Sequence, residues 1–309
     1  MAEISRLLVI GGTGFIGHHL LRAAVEKKWQ VSSLSLHPPK LERNVTGVEY
    51  FHGDLLKQTE LERILADREF DYVVNLGGYI KHTLFKLGGR QLIEEHFTAI
   101  QNLLTVISRE SLQTFIQIGS SDEYGNAPAP QHENLRELAI SPYSLGKVAT
   151  THFMQMLHRT ENFPVVILRL FLTYGPGQDS KRFLPQIIRG CLDDVRFPTS
   201  EGKQIRDFCY VEDTVDAIMQ ALVVPEAVGN IINIASGNPI SVRKMIEKVH
   251  LISGSGTPLY GKVNYRPGEN MSLYANISKA KKILNWEPKI NIDSGLRKSI
   301  DWFANVDVY

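Results

Sequence analysis

Tyr143 and Lys147 stand four residues apart in a segment with helical periodicity, Pro142 to His158, so they lie one above the other on one helix face. An ammonium beside a phenol favours the phenolate and lowers its pKa, which makes the phenol usable as a general acid or base. Taken alone, a Tyr-x-x-x-Lys pair is a weak signal in a chain with 11 tyrosines. Ser120 adds to it. It sits in Ile118-Gly119-Ser120-Ser121-Asp122-Glu123-Tyr124-Gly125, where a predicted strand ends, and open α/β sheets place ligands at the carboxyl ends of their strands. A serine hydroxyl there can share a hydrogen bond with an oxygen being oxidised or reduced; the same serine also suits a plain turn.

A second cluster holds the spacing Gly-x-x-Gly-x-x-Gly at Gly11, Gly14 and Gly17, directly between the apolar run Leu7 to Ile10 and a helical segment beginning at Phe15. Glycines there permit a tight turn, close backbone approach to a pyrophosphate and close helix-to-strand packing. The free N–H groups and positive dipole end of the helix then face the phosphates. An enzyme using NAD usually ends its second strand with an acid that holds the ribose hydroxyls. Here that strand reads Val31-Ser32-Ser33-Leu34-Ser35-Leu36-His37, with Ser35 at about the place of the carboxylate and Lys40 and Arg43 following. The charge pattern favours the 2′-phosphate of NADP(H), with NAD(H) as the alternative. Asp54, after the third strand, is placed either to reach an adenine or to cap the next helix.

The elements that must position these groups alternate. Predicted strands at Val31 to Leu36, Val48 to Phe51, Asp71 to Leu76, Gln113 to Ile118 and Val165 to Leu170 follow Leu7 to Ile10. Between them lie helical segments at Phe15 to Lys27, Leu55 to Leu65, Arg90 to Ile107 and Pro142 to His158. Wholly apolar short strands and βαβα order predict a doubly wound parallel sheet, α/β in class. After Gly175 strands thin out and Pro/Gly-rich loops such as YGPGQ, FPTSEG and YRPGEN punctuate the chain, with short helices at Val211 to Val223 and Val242 to Leu251. The expected division is a dinucleotide-binding part, 1–174, and a smaller α+β substrate lobe, 175–309.

Composition excludes several classes. The 309 residues are 43% hydrophobic and 22% charged, ordinary globular values. Lys and Arg number 34 against 33 acids, a net charge of +1, so the basic excess of a nucleic-acid binder is missing. Two cysteines make no disulfide framework, and no metal is expected. The apolar run near the start is too short for a signal peptide and no window approaches a membrane span, so a cytoplasmic protein is expected.

Taken together, GGTGFIG, the GSSDEYG strand end and SPYSLGK resemble the extended short-chain dehydrogenase/reductases, and within them the nucleotide-sugar epimerases, dehydratases and reductases. The resemblance continues through Arg169-Leu170-Phe171, Tyr174 to Gln178, Gln204 to Phe208, Tyr265 to Glu269, Ile277 to Ala280 and Leu284 to Trp286, nearly the whole chain. It implies a Rossmann fold and a nucleoside-diphosphate sugar as partner. Tyr143 becomes the acid/base, Ser120 its partner, and Lys147 the ligand of the nicotinamide ribose. Besides Tyr143 and Lys147, the expected cofactor contacts are Gly11, Gly14, Phe15, Ile16 and Gly17 in the turn, then Ser35, His37, Asp54, Leu55, Leu76 and Gly77. Arg206 and Arg266 are expected at the diphosphate, Glu269 at its ribose and Ser121 at the substrate. Relatives usually dimerise through two long helices, here Arg90 to Ile107 and Pro142 to His158, whose apolar positions include Phe97, Leu103, Phe153 and Met156.

Departures from the family pattern bear on the reaction. Leu172 replaces an asparagine that touches the diphosphate in many relatives. Asp122 matches the dehydratase glutamate but is one methylene shorter, so it is either a second acid/base or a loop carboxylate. Glu123 falls where an apolar residue is common. The missing second-strand acid ranks an NDP-4-keto-6-deoxyhexose reductase first, a 4-epimerase second and a 4,6-dehydratase third. A non-catalytic NADP-binding redox regulator is disfavoured, because such proteins generally lose the Tyr or Lys kept here.

Overall fold

A computed structural model describes residues 4–78, 83–266 and 268–306. Met1 to Glu3 of the amino-terminal run and Pro267 of the YRPGEN stretch lie outside the described residues. Six strands open the chain: β1 (Arg6–Ile10), β2 (Gln30–Ser35), β3 (Val48–His52), β4 (Tyr72–Asn75), β5 (Thr114–Ser120) and β6 (Val165–Leu170). A seventh, Ile231–Ile234, pairs with β6 from beyond Gly175. All pairings are parallel, in the order β3-β2-β1-β4-β5-β6 and then Ile231–Ile234. This is the doubly wound, Rossmann-type sheet expected, and its strand order reverses between β1 and β4.

Alternation of side chains builds the layers. Leu7 and Val9 of β1 enter one core, and Leu8 and Ile10 the opposite one. Val166, Leu168 and Leu170 of β6 likewise oppose Val165 and Ile167. Leu7, Leu8 and Val9 are fully buried, so truncating any of them to Ala costs about 2–5 kcal/mol. Helix α1 (Phe15–Glu26) and the helix Val211–Val223 cover the first face. Helices α2 (Gln58–Leu65), α3 (Gly89–Val106) and α4 (Pro142–Glu161) cover the second.

Beyond Gly175 the helices Phe183–Leu192, Val242–Ser253 and Ile292–Asn305 join the first core through Ile188, Val249 and Leu296. Short ribbons complete this part, including Ile205–Arg206 between Ile240–Ser241 and Ser272–Leu273. Sheet and lobe therefore share one apolar core. No helix among the described residues is long and apolar enough to cross a membrane.

Two element ends differ from expectation in ways that matter for the site. α2 begins at Gln58 rather than Leu55, because Asp54 Oδ1 accepts the Leu56 N–H at 3.0 Å and holds a turn; Asp54 is not the helix cap. β5 runs on to Ser120, so the serine is the last residue of a strand. Of the apolar positions considered for a dimer, Leu103 is wholly core. Phe97 and Phe153 meet edge to face at 5.6 Å, and Met156 is exposed.

Candidate active site

The glycine turn leaves β1 with Gly11 at φ +77°, a conformation that favours glycine. A Cβ on Gly17 would sit 2.3 Å from the Gly11 carbonyl oxygen, so α1 packs directly on the turn. Gly14 is the N-cap of α1 and has no side-chain cap, which leaves first-turn N–H groups for a ligand. Asn75 places the other wall. It donates to Gln117 at 2.9 Å and accepts the Gly77 N–H at 3.0 Å, holding Leu76 and Gly77 against Gly11. These residues fit a dinucleotide: an anion-binding helix end at the point where the strand order reverses. Phe15 and Ile16 open the helix, and Leu55 packs beside Gly77.

At the end of β2 the geometry departs from the charge argument. Ser35 is buried and accepts the Thr13 N–H at 3.3 Å, so its hydroxyl turns back into the glycine turn. Arg43 donates to Gly177 O at 2.7 Å and to Thr13 O at 3.4 Å, tying the turn to the YGPG segment. His37 and Lys40 are exposed. His18 is buried on the far side of the turn, its Nδ1–H donating to Gly14 O at 3.1 Å, and burial brings its pKa down to about 3.

The hydroxyl pair lies at the end of β5. Ser120 Oγ accepts the Asp122 N–H at 3.1 Å, while the Glu123 carboxylate accepts the Ser120 N–H at 2.8 Å, a reciprocal capping box. Ser141 caps α4 through the Ser144 N–H, and Pro142 opens it, which puts Tyr143 in the first turn. The Ser120 side chain lies close enough to the Tyr143 phenol to favour its ionised form. Tyr143 is 3% exposed and its ring meets His96 edge to face at 5.1 Å. Burial first, then the Asp122 carboxylate, push the phenol well above its usual pKa. That is opposite to the direction expected from Lys147 alone. Lys147 is itself buried, which brings its pKa down to about 8, and its ammonium donates to Ile118 O at 2.9 Å. Ser121 is buried, whereas Asp122 is half-exposed and acts on both Tyr143 and Arg206.

The structure adds residues that the motifs did not single out. Glu123 is fully buried against Arg169 Nε at 2.9 Å, and Glu137 receives a second bond from Arg169 at 2.5 Å. The pattern Ser120-x-x-Glu123 is itself a capping-box signature, so local spacing carried this signal. Asp207 accepts from Ser236 N–H at 2.7 Å, Ser236 Oγ at 2.6 Å and Gly237 N–H at 3.0 Å. It thereby fixes the loop after Ile231–Ile234 beside Arg206. Arg182 is exposed and lowers the Tyr143 pKa by its charge.

Arg206, Arg266 and Glu269 are brought together. Arg206 is 8% exposed and pairs with Glu269, whose other oxygen lies 3.5 Å from Arg266 Nε. Arg266 is mostly exposed, next to a buried guanidinium. Leu172 is 40% exposed.

Residues 7–235 match the NAD dependent epimerase/dehydratase family. The chain belongs to that family. It is similar to an uncharacterised UDP-glucose epimerase of Bacillus subtilis, 28% identical and covering 97% of this chain and 98% of the relative. It is 24% identical to a dTDP-glucose 4,6-dehydratase of Shigella flexneri over 96% of this chain and 92% of that one. Among solved structures it is similar to the UDP-glucuronic acid 4-epimerase of Bacillus cereus in complex with UDP-glucuronic acid and NAD. There the TM-score is 0.87 at 27% identity, covering 96% of this chain and 98% of the other.

Proposed function

We propose that this enzyme is a nucleoside-diphosphate-hexose 4-epimerase working through a retained NAD(H). One observation carries the reading. Ser120 at the end of β5 lies close to the Tyr143 phenol, Lys147 shares its helix face, and the Asp122 carboxylate acts on both Tyr143 and Arg206, which links this group to the Arg206–Glu269 pair. The Bacillus cereus structure, a 4-epimerase with NAD, supports the same choice.

NAD, held by the glycine turn at Gly11, Gly14 and Gly17, would supply a hydride acceptor and, once reduced, a hydride donor, so that epimerisation at C4 would be redox-neutral overall. Tyr143, as phenolate, takes the proton of the C4 hydroxyl while the C–H bond breaks, and gives it back in the reverse half-reaction. Ser120 holds the same oxygen by its hydroxyl. Burial holds the phenol protonated; the positive charge of an oxidised nicotinamide ring, if bound beside Tyr143, would favour the phenolate. Lys147 binds the nicotinamide ribose. Arg206 and Arg266 hold the diphosphate, and Glu269 the nucleoside ribose hydroxyls.

Epimerisation is preferred to the keto-sugar reduction that the charge pattern ranked first. That ranking rested on the missing second-strand acid and the cations after it, and one of these, Arg43, is engaged with Thr13 O and Gly177 O. Dehydration is the second reading, supported by the Asp122 carboxylate beside Tyr143 and Arg206.

Denaturing the purified protein and identifying the released dinucleotide tests the choice. Stoichiometric NAD, with interconversion of the C4 epimers of a UDP- or dTDP-hexose, is expected. An empty site that takes up NADPH and reduces a 4-keto sugar overturns epimerisation in favour of reduction. Solvent deuterium appearing at C5 with loss of water favours dehydration. We also propose a cytoplasmic homodimer packed through α3 and α4, with residues 175–309 as the substrate lobe; Met156→Glu is expected to halve the mass measured by light scattering.

A further inference from the structure

Glu123 is fully buried, yet both of its oxygens reach the catalytic neighbourhood. Oε1 accepts the Ser120 N–H at 2.8 Å, while Oε2 accepts the Thr151 hydroxyl at 2.8 Å and Arg169 Nε–H at 2.9 Å. Thr151 follows Lys147 by four residues and Tyr143 by eight, so all three share one face of α4. The carboxylate therefore spans the gap between the last residue of β5 and the helix face that carries the phenol and the ammonium.

Two further features make room for it. A Cβ on Gly119 would lie 2.5 Å from Glu123 Oε1, so a glycine immediately before Ser120 is what admits the carboxylate. A buried carboxylate is costly unless paired and hydrogen-bonded. Arg169 supplies the pairing, and is itself held by Glu137 at 2.5 Å and over the Tyr124 ring at 4.6 Å. An apolar residue at 123 would make none of these bonds.

We propose that Glu123 is a positioning residue, which sets Ser120 against Tyr143 and Lys147 by tying the strand end to the helix face through Thr151. This rests on the hydride-transfer reading of the site. It gives Arg169 a part as well: its guanidinium pairs with Oε2 and holds the carboxylate where both oxygens accept.

Among the described residues, the charged and titratable groups around Tyr143 include Asp122 and Glu123 from the turn, Lys147 from α4, His96 from α3, and Arg182 from the segment before Phe183–Leu192. Glu123→Gln keeps an oxygen acceptor but removes one negative charge and leaves Arg169 with Glu137 as its one paired carboxylate among the described residues. Both changes favour the phenolate.

The experiment compares wild type, Glu123→Gln and Thr151→Val, each as the full chain with bound cofactor. It records the melting temperature, kcat and KM on a sugar nucleotide that the wild type turns over. It also follows phenolate absorbance against pH as a difference from Tyr143→Phe. Thr151→Val is expected to lower kcat about tenfold with KM within about twofold, because a misplaced hydroxyl pair penalises the transition state. Glu123→Gln is expected to lower kcat further and to bring the Tyr143 titration down by about one pH unit. Wild-type kcat in a folded Thr151→Val, or an unmoved titration in Glu123→Gln, overturns the proposal. If the wild type turns over no sugar nucleotide, the assigned reaction falls, and the phenol titration alone then decides the role of Glu123.

Discussion

The Glu269 carboxylate is paired with the Arg206 guanidinium, and both are largely buried at the mouth of the site. On the proposed function, a diphosphate entering there would meet a cation already placed and partly desolvated, with Arg266 as a second, more exposed cation beside the same carboxylate. Arg206→Ala is therefore expected to raise the KM for a nucleotide sugar about 30-fold, as loss of a charged hydrogen bond of about 2 kcal/mol would. Steady-state kinetics should show kcat changed by less than about threefold, because the contact is made equally in ground and transition states.

Tyr143 has the opposite signature. Tyr143→Phe removes the proton acceptor and keeps the buried ring against His96. A fall in kcat of about a thousandfold is expected, with unchanged melting temperature and unchanged bound dinucleotide. Near-wild-type turnover would remove the phenol from the reaction.

Gly14 and Gly17 separate in a pair of alanine variants. The added methyl at 17 meets backbone on two sides, at 2.3 Å from Gly11 O and 2.6 Å from Gly12 Cα, and backbone cannot swing away. Gly17→Ala should cost about 1–3 kcal/mol and abolish dinucleotide binding. At Gly14 the nearest atom is 3.2 Å away, so Gly14→Ala should melt close to wild type. Thermal unfolding and dinucleotide titration check both.

Arg43 decides what the cations after β2 serve. As a tie between Thr13 O and Gly177 O, its replacement in Arg43→Met should weaken NAD and NADP by the same factor, about three- to tenfold, through a loosened turn. A loss confined to NADP would assign Arg43 to a 2′-phosphate instead.

His18 makes stability depend on pH. The unfolded chain takes up a proton near the ordinary value of 6.5, while the folded chain refuses it down to about 3. The unfolded state thus binds more protons in that window, and stability falls as pH drops through 6.5. Between pH 7 and pH 5 wild type should lose about 2 kcal/mol more than His18→Asn, which keeps a donor for Gly14 O but does not titrate. Denaturant unfolding at the two pH values measures the difference.

Local chemistry was legible in the sequence. The glycine turn, the Tyr143–Lys147 spacing and the alternation of strands and helices each arise within a few residues, where covalent geometry dictates the outcome. Glu123 was legible as the end of a capping box, but its partners Arg169, 46 residues on, and Thr151, on another element, were not. Position 35 shows the reverse case: charge counting suggested a phosphate site, while the contacts of Ser35 to Thr13 N–H and of Arg43 to Gly177 O span distances that no local count contains.

The amino-acid sequence by itself determined the doubly wound sheet and the glycine turn between β1 and α1, because each follows from period, spacing and residue type, and it set Tyr143 and Lys147 on one helix face. Only the tertiary structure decided that Ser120 meets Tyr143, that Glu269 joins Arg206, and that one buried carboxylate links strand end to helix. Those contacts join residues far apart in the chain, and no local preference specifies them. They exist because a parallel sheet brings all its carboxyl ends to one edge, where desolvation makes every unpaired charge costly and so selects its partner.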